Sequence, residues 1–104
     1  MITIAEVPEY IRQAEKLLTE AERQDVLSYL SAHPKSGDLI EGTGGIRKLR
    51  WGRGGRGKSG GVRVIYYWIK DNHQIYLLVV YPKSKKDTLT DKETAILREL
   101  VKEL

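Results

Sequence analysis

The sequence contains no cysteine, which excludes a disulfide framework and thiolate metal sites and suits a reducing compartment. It has only two histidines, His33 beside a proline and His73 in an Asp-Asn-His stretch. Neither belongs to a His/Cys/Asp cluster with metal-ligand spacing or to a Ser-His-Asp set, so no metal and no cofactor are expected. No apolar run approaches the ~18 residues that a membrane span requires. The opening MITIAEVPEY lacks the basic start and apolar core of a signal peptide. These absences lead to the expectation of a cytoplasmic domain that has no business with a membrane.

Negative charge is missing from one region in particular. Between residues 46 and 86 the chain carries eleven Lys/Arg and a single carboxylate, Asp71, a balance of +10. Residues 1–45 carry four Lys/Arg and eight Asp/Glu, and residues 87–104 carry three against five, so both flanks are acidic. The overall +4 thus hides one strongly cationic segment. Such a concentration is the electrostatic footprint of a protein that meets a polyanion.

What is present reads as one small folded domain, given 104 residues of which 40% are hydrophobic. A short strand at Ile2–Ile4 precedes a helix that admits Pro8 in its first turn and repeats Ile11, Ala14, Leu17 and Leu18 at helical spacing. Thr19-Glu20-Ala21-Glu22 is a capping-box pattern. The helix it opens uses Val26, Leu27 and Leu30 and stops near His33-Pro34, because the residue before proline avoids helical angles. The following KSGDLIEGTGG reads as loop. Ile46–Trp51, Val62–Ile69 and Ile75–Tyr81 are rich in branched and aromatic residues and read as strands, the last two forming a hairpin through Asp71-Asn72-His73. A second capping box, Thr90-Asp91-Lys92-Glu93, opens a final helix with Ile96, Leu97, Leu100, Val101 and Leu104 on one face. The expected fold is α+β, in the order β-α-α-β-β-β-α, with the helices packed on one face of an antiparallel sheet.

The loop between the first two long strands contains GRGGRGKS at residues 52–59, a match to the phosphate-binding G-x-x-x-x-G-K-[ST] pattern. That pattern works when the glycine loop delivers phosphate to the N-terminus of a helix. Here Gly60-Gly61-Val62-Arg63-Val64-Ile65 follows, and two glycines leading into a β-branched run do not begin a helix. The strand–helix alternation of a nucleotide-binding sheet is also missing. Nucleotide hydrolysis is therefore set aside, and Arg53, Arg56 and Lys58 read either as a cationic arm for the RNA backbone or as a solvated loop that protects a sheet edge.

Strand periodicity of two sorts the remaining cations. Lys48 and Arg50 share a face, with Leu49 and Trp51 on the other. Arg63 stands opposite Val62, Val64, Tyr66 and Trp68, on a face with Ile65, Tyr67 and Ile69. An arginine among hydrophobic strand residues needs a reason, since burying it unpaired is costly. Tyr81, Lys83, Lys85 and Lys86 follow at the end of the last strand. Cations from three strands are expected to converge on one side of the sheet, the plain alternative being a solvated sheet face.

The run GTGGIRKLRW, the Gly/Lys/Arg loop, then GGVRVIYYW and IYLLVVYPKSKKDTLT before a terminal helix resembles the RelE/HigB-like toxins of bacterial type II toxin–antitoxin systems, within the RelE/ParE superfamily. The resemblance is most specific over residues 42–90. It implies an endoribonuclease that cuts mRNA in the ribosomal A site without a metal, through attack of a ribose 2′-OH on the adjacent phosphate. It also implies a cognate antitoxin that carries a helix-turn-helix DNA-binding domain. Carried onto this sequence, it makes Arg63, Lys48, Arg50, Lys83 and Tyr81 the catalytic candidates. Arg47, Arg53, Arg56, Lys58, Lys85 and Lys86 become candidates for binding RNA. Ser84 and Thr90 depart from the family pattern, where an Arg and a Tyr are expected; a lysine among Lys83, Lys85 and Lys86 and the phenol of Tyr81 are the available replacements.

Two further readings fit the same chain. A ParE-like member of this fold would poison DNA gyrase through a protein contact and cut nothing. A non-catalytic RNA- or ribosome-binding module would use the cations for affinity alone. Single substitutions separate them: a transition-state contact is worth ~10²-fold or more in rate, whereas loss of one phosphate contact weakens binding evenly and flattens its salt dependence.

Overall fold

The computed structural model describes residues 2–52, 61–86 and 88–104. Along the chain these form β1 (Thr3–Glu6), α1 (Pro8–Leu17), α2 (Glu20–Ala32), β2 (Asp38–Leu39), β3 (Ile46–Trp51), β4 (Val62–Ile69), β5 (Gln74–Pro82) and α3 (Asp91–Val101). Both capping boxes form. The Thr19 side chain accepts from Glu22 N–H while Glu22 accepts from Thr19 N–H, and Thr90 and Glu93 repeat this at α3. Each box satisfies two backbone donors that a helix start leaves without partners.

Five strands make one sheet in the order β1-β5-β4-β3-β2. The hairpin pairs β4 and β5 antiparallel, β3 adds antiparallel to β4, and the two-residue β2 adds to β3 within the stretch expected to be loop. β1 lies parallel to β5, an arrangement that requires a long connection between the two strands.

The faces of this sheet are covered differently. Tyr10, Ala14 and Leu18 of α1 and Val26 and Leu30 of α2 pack with Leu49, Val64, Tyr66, Ile75 and Leu77. Leu97 and Val101 of α3 pack instead with Ile46, Ile65, Leu78 and Tyr81. Val64 and Ile65 are consecutive in β4, so the two clusters lie on opposite faces. The α+β class and the order of the main elements stand. The single helical layer is corrected: α1 and α2 share one face and α3 crosses to the other. The cause lies in β4 and β5, whose apolar residues occupy both faces, so a second cover is required. Arg98 helps to seat that cover by donating to the Gly42 carbonyl at 3.0 Å.

Two local devices shape the sheet. Tyr66 threads its hydroxyl under the chain before β2, accepting from Gly37 N–H at 2.9 Å and donating to the Pro34 carbonyl at 2.7 Å. A side chain at residue 37 would meet the Tyr66 ring at 2.8 Å, so glycine is required for that approach. Between Ile65 and Tyr66 the β4–β5 pairing slips: Ile65 faces Val79 but Tyr66 faces Leu77, leaving Leu78 as an extra residue in β5. A bulge of this kind reverses which side chains point to which face. Ile75 and Leu77 therefore point toward α1 and α2, whereas Val79 and Tyr81 point toward α3.

Candidate active site

The bulge has a chemical consequence. Arg50 on β3, Arg63 on β4 and Tyr81 on β5 are direct cross-strand partners. Opposed Cα atoms sit roughly 4.5–5.5 Å apart, so the three side chains start from one short row on the face that α3 partly covers. Lys48 stands on the same face two residues before Arg50, in register with Ile65.

Arg63 holds the centre of the row. It is only 6% exposed, and its guanidinium donates to the Val62 carbonyl at 3.3 Å. Like charges placed directly opposite in a sheet repel, and Arg50 faces Arg63. Asp38 of β2 offsets this, its carboxylate accepting from Arg50 at 2.8 Å. The ion pair is exposed and adds little to stability. Its effect is on geometry: one end of Arg50 is anchored at the sheet edge.

The other end of the row is organised from α3. Lys86 sits with its ammonium 5.0 Å from the centre of the Tyr81 ring, a cation–π contact. The same ammonium is bonded to Glu93. Glu93 divides its carboxylate, one oxygen serving Lys86 and the other the Thr90 N–H of the capping box. The hydrogen bond from Lys86, followed by that from the backbone of Thr90, holds the Glu93 carboxyl below its ordinary value of 4.5. The start of α3 is thereby tied to the lysine that covers Tyr81.

The other sequence candidates are placed elsewhere or at the margin. Arg47 points to the opposite side of β3 and donates to the carbonyls of Lys35 at 3.1 Å and Gly37 at 2.8 Å, so its guanidinium closes the chain before β2. Lys83 and Lys85 lie exposed in the turn after β5, where Lys83 N–H donates to the Gly61 carbonyl at 3.2 Å and Lys85 N–H to that of Pro82 at 3.1 Å. Lys85 and Lys86 border a groove of about 690 Å³ that passes Tyr81 between α1 and α3. Arg53, Arg56 and Lys58 lie outside the described residues. Of the glycine motif itself, its downstream boundary is clear: residues 62–69 are strand β4, not a helix.

Sequence reasoning missed both carboxylates, Asp38 and Glu93. Asp38 lay in an apparent loop, and no pattern marks a strand of two residues. Glu93 was visible, but as a cap; the charge on Lys86 seven residues earlier was the available hint of a second partner. Among the described residues no three His, Asp or Glu side chains gather to hold a metal ion. The electrophiles that this face itself supplies are guanidinium and ammonium groups. An array of this type suits a substrate that gains negative charge as it reacts.

Comparisons with known proteins agree with this architecture. The chain is similar in structure to a chain of the intact Escherichia coli RelBE toxin–antitoxin complex, with a TM-score of 0.60 and 16% identity over 77% of this chain and 94% of that one. It is similar also to the isolated E. coli RelE toxin, with a TM-score of 0.60 and 13% identity over 96% and 99% of the two chains. At these identities the likeness establishes the fold. Residues 35–104, which include every site residue described above, match the family model of the RelE toxin of the RelE/RelB toxin–antitoxin system. The chain belongs to the RelE toxin family.

Proposed function

We propose that this toxin is a ribosome-dependent endoribonuclease that halts translation by cutting mRNA in the A site. The observation that carries the reading is the buried Arg63, held in one cross-strand row between Arg50 and Tyr81. A guanidinium fixed in the middle of such a row is placed to stabilise negative charge that develops on a phosphate.

In the reaction, the 2′-oxygen of one nucleotide forms a bond to the phosphorus on its 3′ side, and the bond from phosphorus to the 5′-oxygen of the next nucleotide breaks. The products are a 2′,3′-cyclic phosphate and a 5′-hydroxyl. The 2′-OH proton leaves to a base, and a proton is delivered to the departing 5′-oxygen. Arg63 and Arg50 are assigned to the phosphate oxygens, where charge builds up in the transition state. Lys48 and Tyr81 can exchange a proton on this face and are assigned the two transfers. Lys86 contributes positive charge above Tyr81. Lys83 and Lys85 are assigned to the RNA backbone beyond the reacting nucleotides, where their worth lies in affinity and depends on salt. A cognate antitoxin is the proposed partner, in line with the complex in which the similar E. coli toxin is found.

The test is primer extension on a defined mRNA in a purified translation system, with wild-type protein and Arg63→Ala. The expected result is cuts within the A-site codon that require ribosomes and fall by ~10²-fold or more in the variant. Intact mRNA would reject the nuclease and turn attention to a gyrase supercoiling assay, where a ParE-like poison would act. Equal cutting by the variant would remove Arg63 from the centre of the site.

A further inference from the structure

Two carboxylates stand against the cationic row, and the roles above give their charge no part in the reaction. Asp38 accepts from Arg50 at 2.8 Å and lies directly opposite Lys48 in the β2–β3 pairing. Glu93 holds Lys86, whose ammonium sits above the Tyr81 ring. Arg50 and Tyr81 flank Arg63, so one carboxylate lies toward each end of the row. Both pairs are open to solvent, with side chains 56% and 69% exposed for Arg50 and Asp38, and 32% and 37% for Lys86 and Glu93. A phosphate can therefore reach each cation, and exposed pairs of this kind separate at little cost.

Anchoring a cation does not require a charge. Arg47, on the same strand as Arg50, is held by the neutral carbonyls of Lys35 and Gly37. A carboxylate in that place does what a carbonyl cannot: it repels the incoming RNA backbone and competes with it for the cation. Each such pair lowers the affinity of any RNA that must bind through this face alone. On a ribosome the message is already held by other contacts, so the scissile phosphate arrives at a high effective concentration. A uniform binding penalty then weighs on free RNA and spares a substrate that is delivered.

We propose that Asp38 and Glu93 are specificity residues, two anionic guards that withhold the cationic row from free RNA and yield it to RNA presented by the ribosome. The inference rests on the nuclease reading above and gives a cause for its ribosome dependence. Free RNA has to displace Asp38 from Arg50 and Glu93 from Lys86, and its own few contacts do not offset the loss. Asp71 provides an internal control. It is exposed, in the turn at the far end of the β4–β5 hairpin. At about 20 Å along β4 from Arg63 by strand rise, it lies beyond the ~8–10 Å over which exposed charges feel one another in salt.

The test compares free and ribosome-bound RNA for wild type, Asp38→Asn, Glu93→Gln and Asp71→Asn. Binding of a short single-stranded RNA, 2′-O-methylated so that it cannot be cut, is followed by fluorescence anisotropy across a salt series. Cutting of free and ribosome-bound message is followed by primer extension. Asp38→Asn and Glu93→Gln are each expected to tighten binding of the free RNA ~3-fold, the scale of one exposed ion pair. Each should also steepen the fall of log K with log[salt] by ~0.7, the mark of one more phosphate contact on a single strand. Cutting of free RNA should rise with this affinity, whereas cutting on ribosomes should not rise. Asp71→Asn should change neither affinity nor salt slope. Equal tightening by all three variants would assign the effect to net charge and overturn the guards. Unchanged binding by Asp38→Asn and Glu93→Gln, or an equal gain on ribosomes, would overturn them too, with the nuclease left in place. If wild-type protein cuts no mRNA on ribosomes, the nuclease reading fails and the selectivity falls with it. The anisotropy series then shows separately whether the two carboxylates oppose RNA.

Discussion

The two faces of the sheet solve different problems. Under α1 and α2 the packing is complete: Tyr10, Val26, Leu30, Val64, Tyr66, Ile75 and Leu77 are fully buried, and the phenol of Tyr10 is pushed up to about 12, mainly by that burial and next by the nearby Glu6. Under α3 the cover is thin. The helix buries Leu97 and Val101, yet leaves Ile96 at 59% and Leu100 at 38% exposure, although all four belong to one apolar stripe. Beside it the sheet presents Lys48, Arg50 and Arg63. A domain of this size has one good core to spend. The α1/α2 face holds the fold together, which leaves the α3 face free to carry like charges that would cost stability anywhere.

That contrast can be broken most forcefully in the core. Leu30→Ala is expected to cost about 2–5 kcal/mol, and Leu97→Ala distinctly less, because its surroundings are already partly open. Thermal or urea unfolding of the two variants decides the matter, and equal losses would mean that α3 is as firmly packed as α2. Tyr66→Phe comes next. It strands Gly37 N–H and the Pro34 carbonyl, so about 1–3 kcal/mol should be lost, read from the urea midpoint with RNA cutting per folded molecule unchanged.

The two capping boxes provide a matched pair. Thr19→Ala and Thr90→Ala should each cost ~1 kcal/mol in stability. Only Thr90→Ala should also slow RNA cutting, because Glu93 anchors Lys86 above Tyr81 from that same turn; equal cutting rates would disconnect α3 from the site. The smallest effect concerns pH. The Glu93 carboxyl lies below its ordinary value of 4.5 in the folded protein, so its contribution is fully present above that value and is lost as pH falls through the lowered one. Glu93→Gln preserves the capping box, since glutamine also serves at that position, but removes the charge. The variant should melt slightly below wild type at neutral pH and converge with it in acid, as followed by circular dichroism. A gap independent of pH would assign the effect to packing.

Much of the fold was legible in local pattern. The bounds of β3 and β4, both capping boxes and the stop before Pro34 are set by residues within a few positions of one another, where propensity and hydrogen bonding act directly. Lys48 and Arg50 on one face and Arg63 on a face with Ile65 follow from the period of two. What escaped was non-local. The bulge at Leu78 leaves no trace in the run IYLLVVY, where every residue is apolar and either register looks acceptable, yet it decides that Tyr81 points to Arg63. The passage of α3 to the far face could not be read because both faces of β4 are apolar. Asp38 and Glu93 became partners of the cationic row only through contacts twelve and seven residues away. Arg47 is the instructive case, a basic residue in the basic strand whose guanidinium is spent on two backbone carbonyls.

Arg47 and Arg50 therefore offer the most direct test. They share a strand and a charge and differ in the face they serve. The deciding measurement is the single-turnover rate of mRNA cutting on purified ribosomes, taken with the melting temperature, for Arg47→Ala and Arg50→Ala. Arg47→Ala is expected to melt at a lower temperature and to cut at the wild-type rate per folded molecule. Arg50→Ala is expected to melt close to wild type and to cut ~10²-fold more slowly. The opposite pattern, or equal loss of cutting from both, would contradict the division of the sheet into a face that folds and a face that reacts.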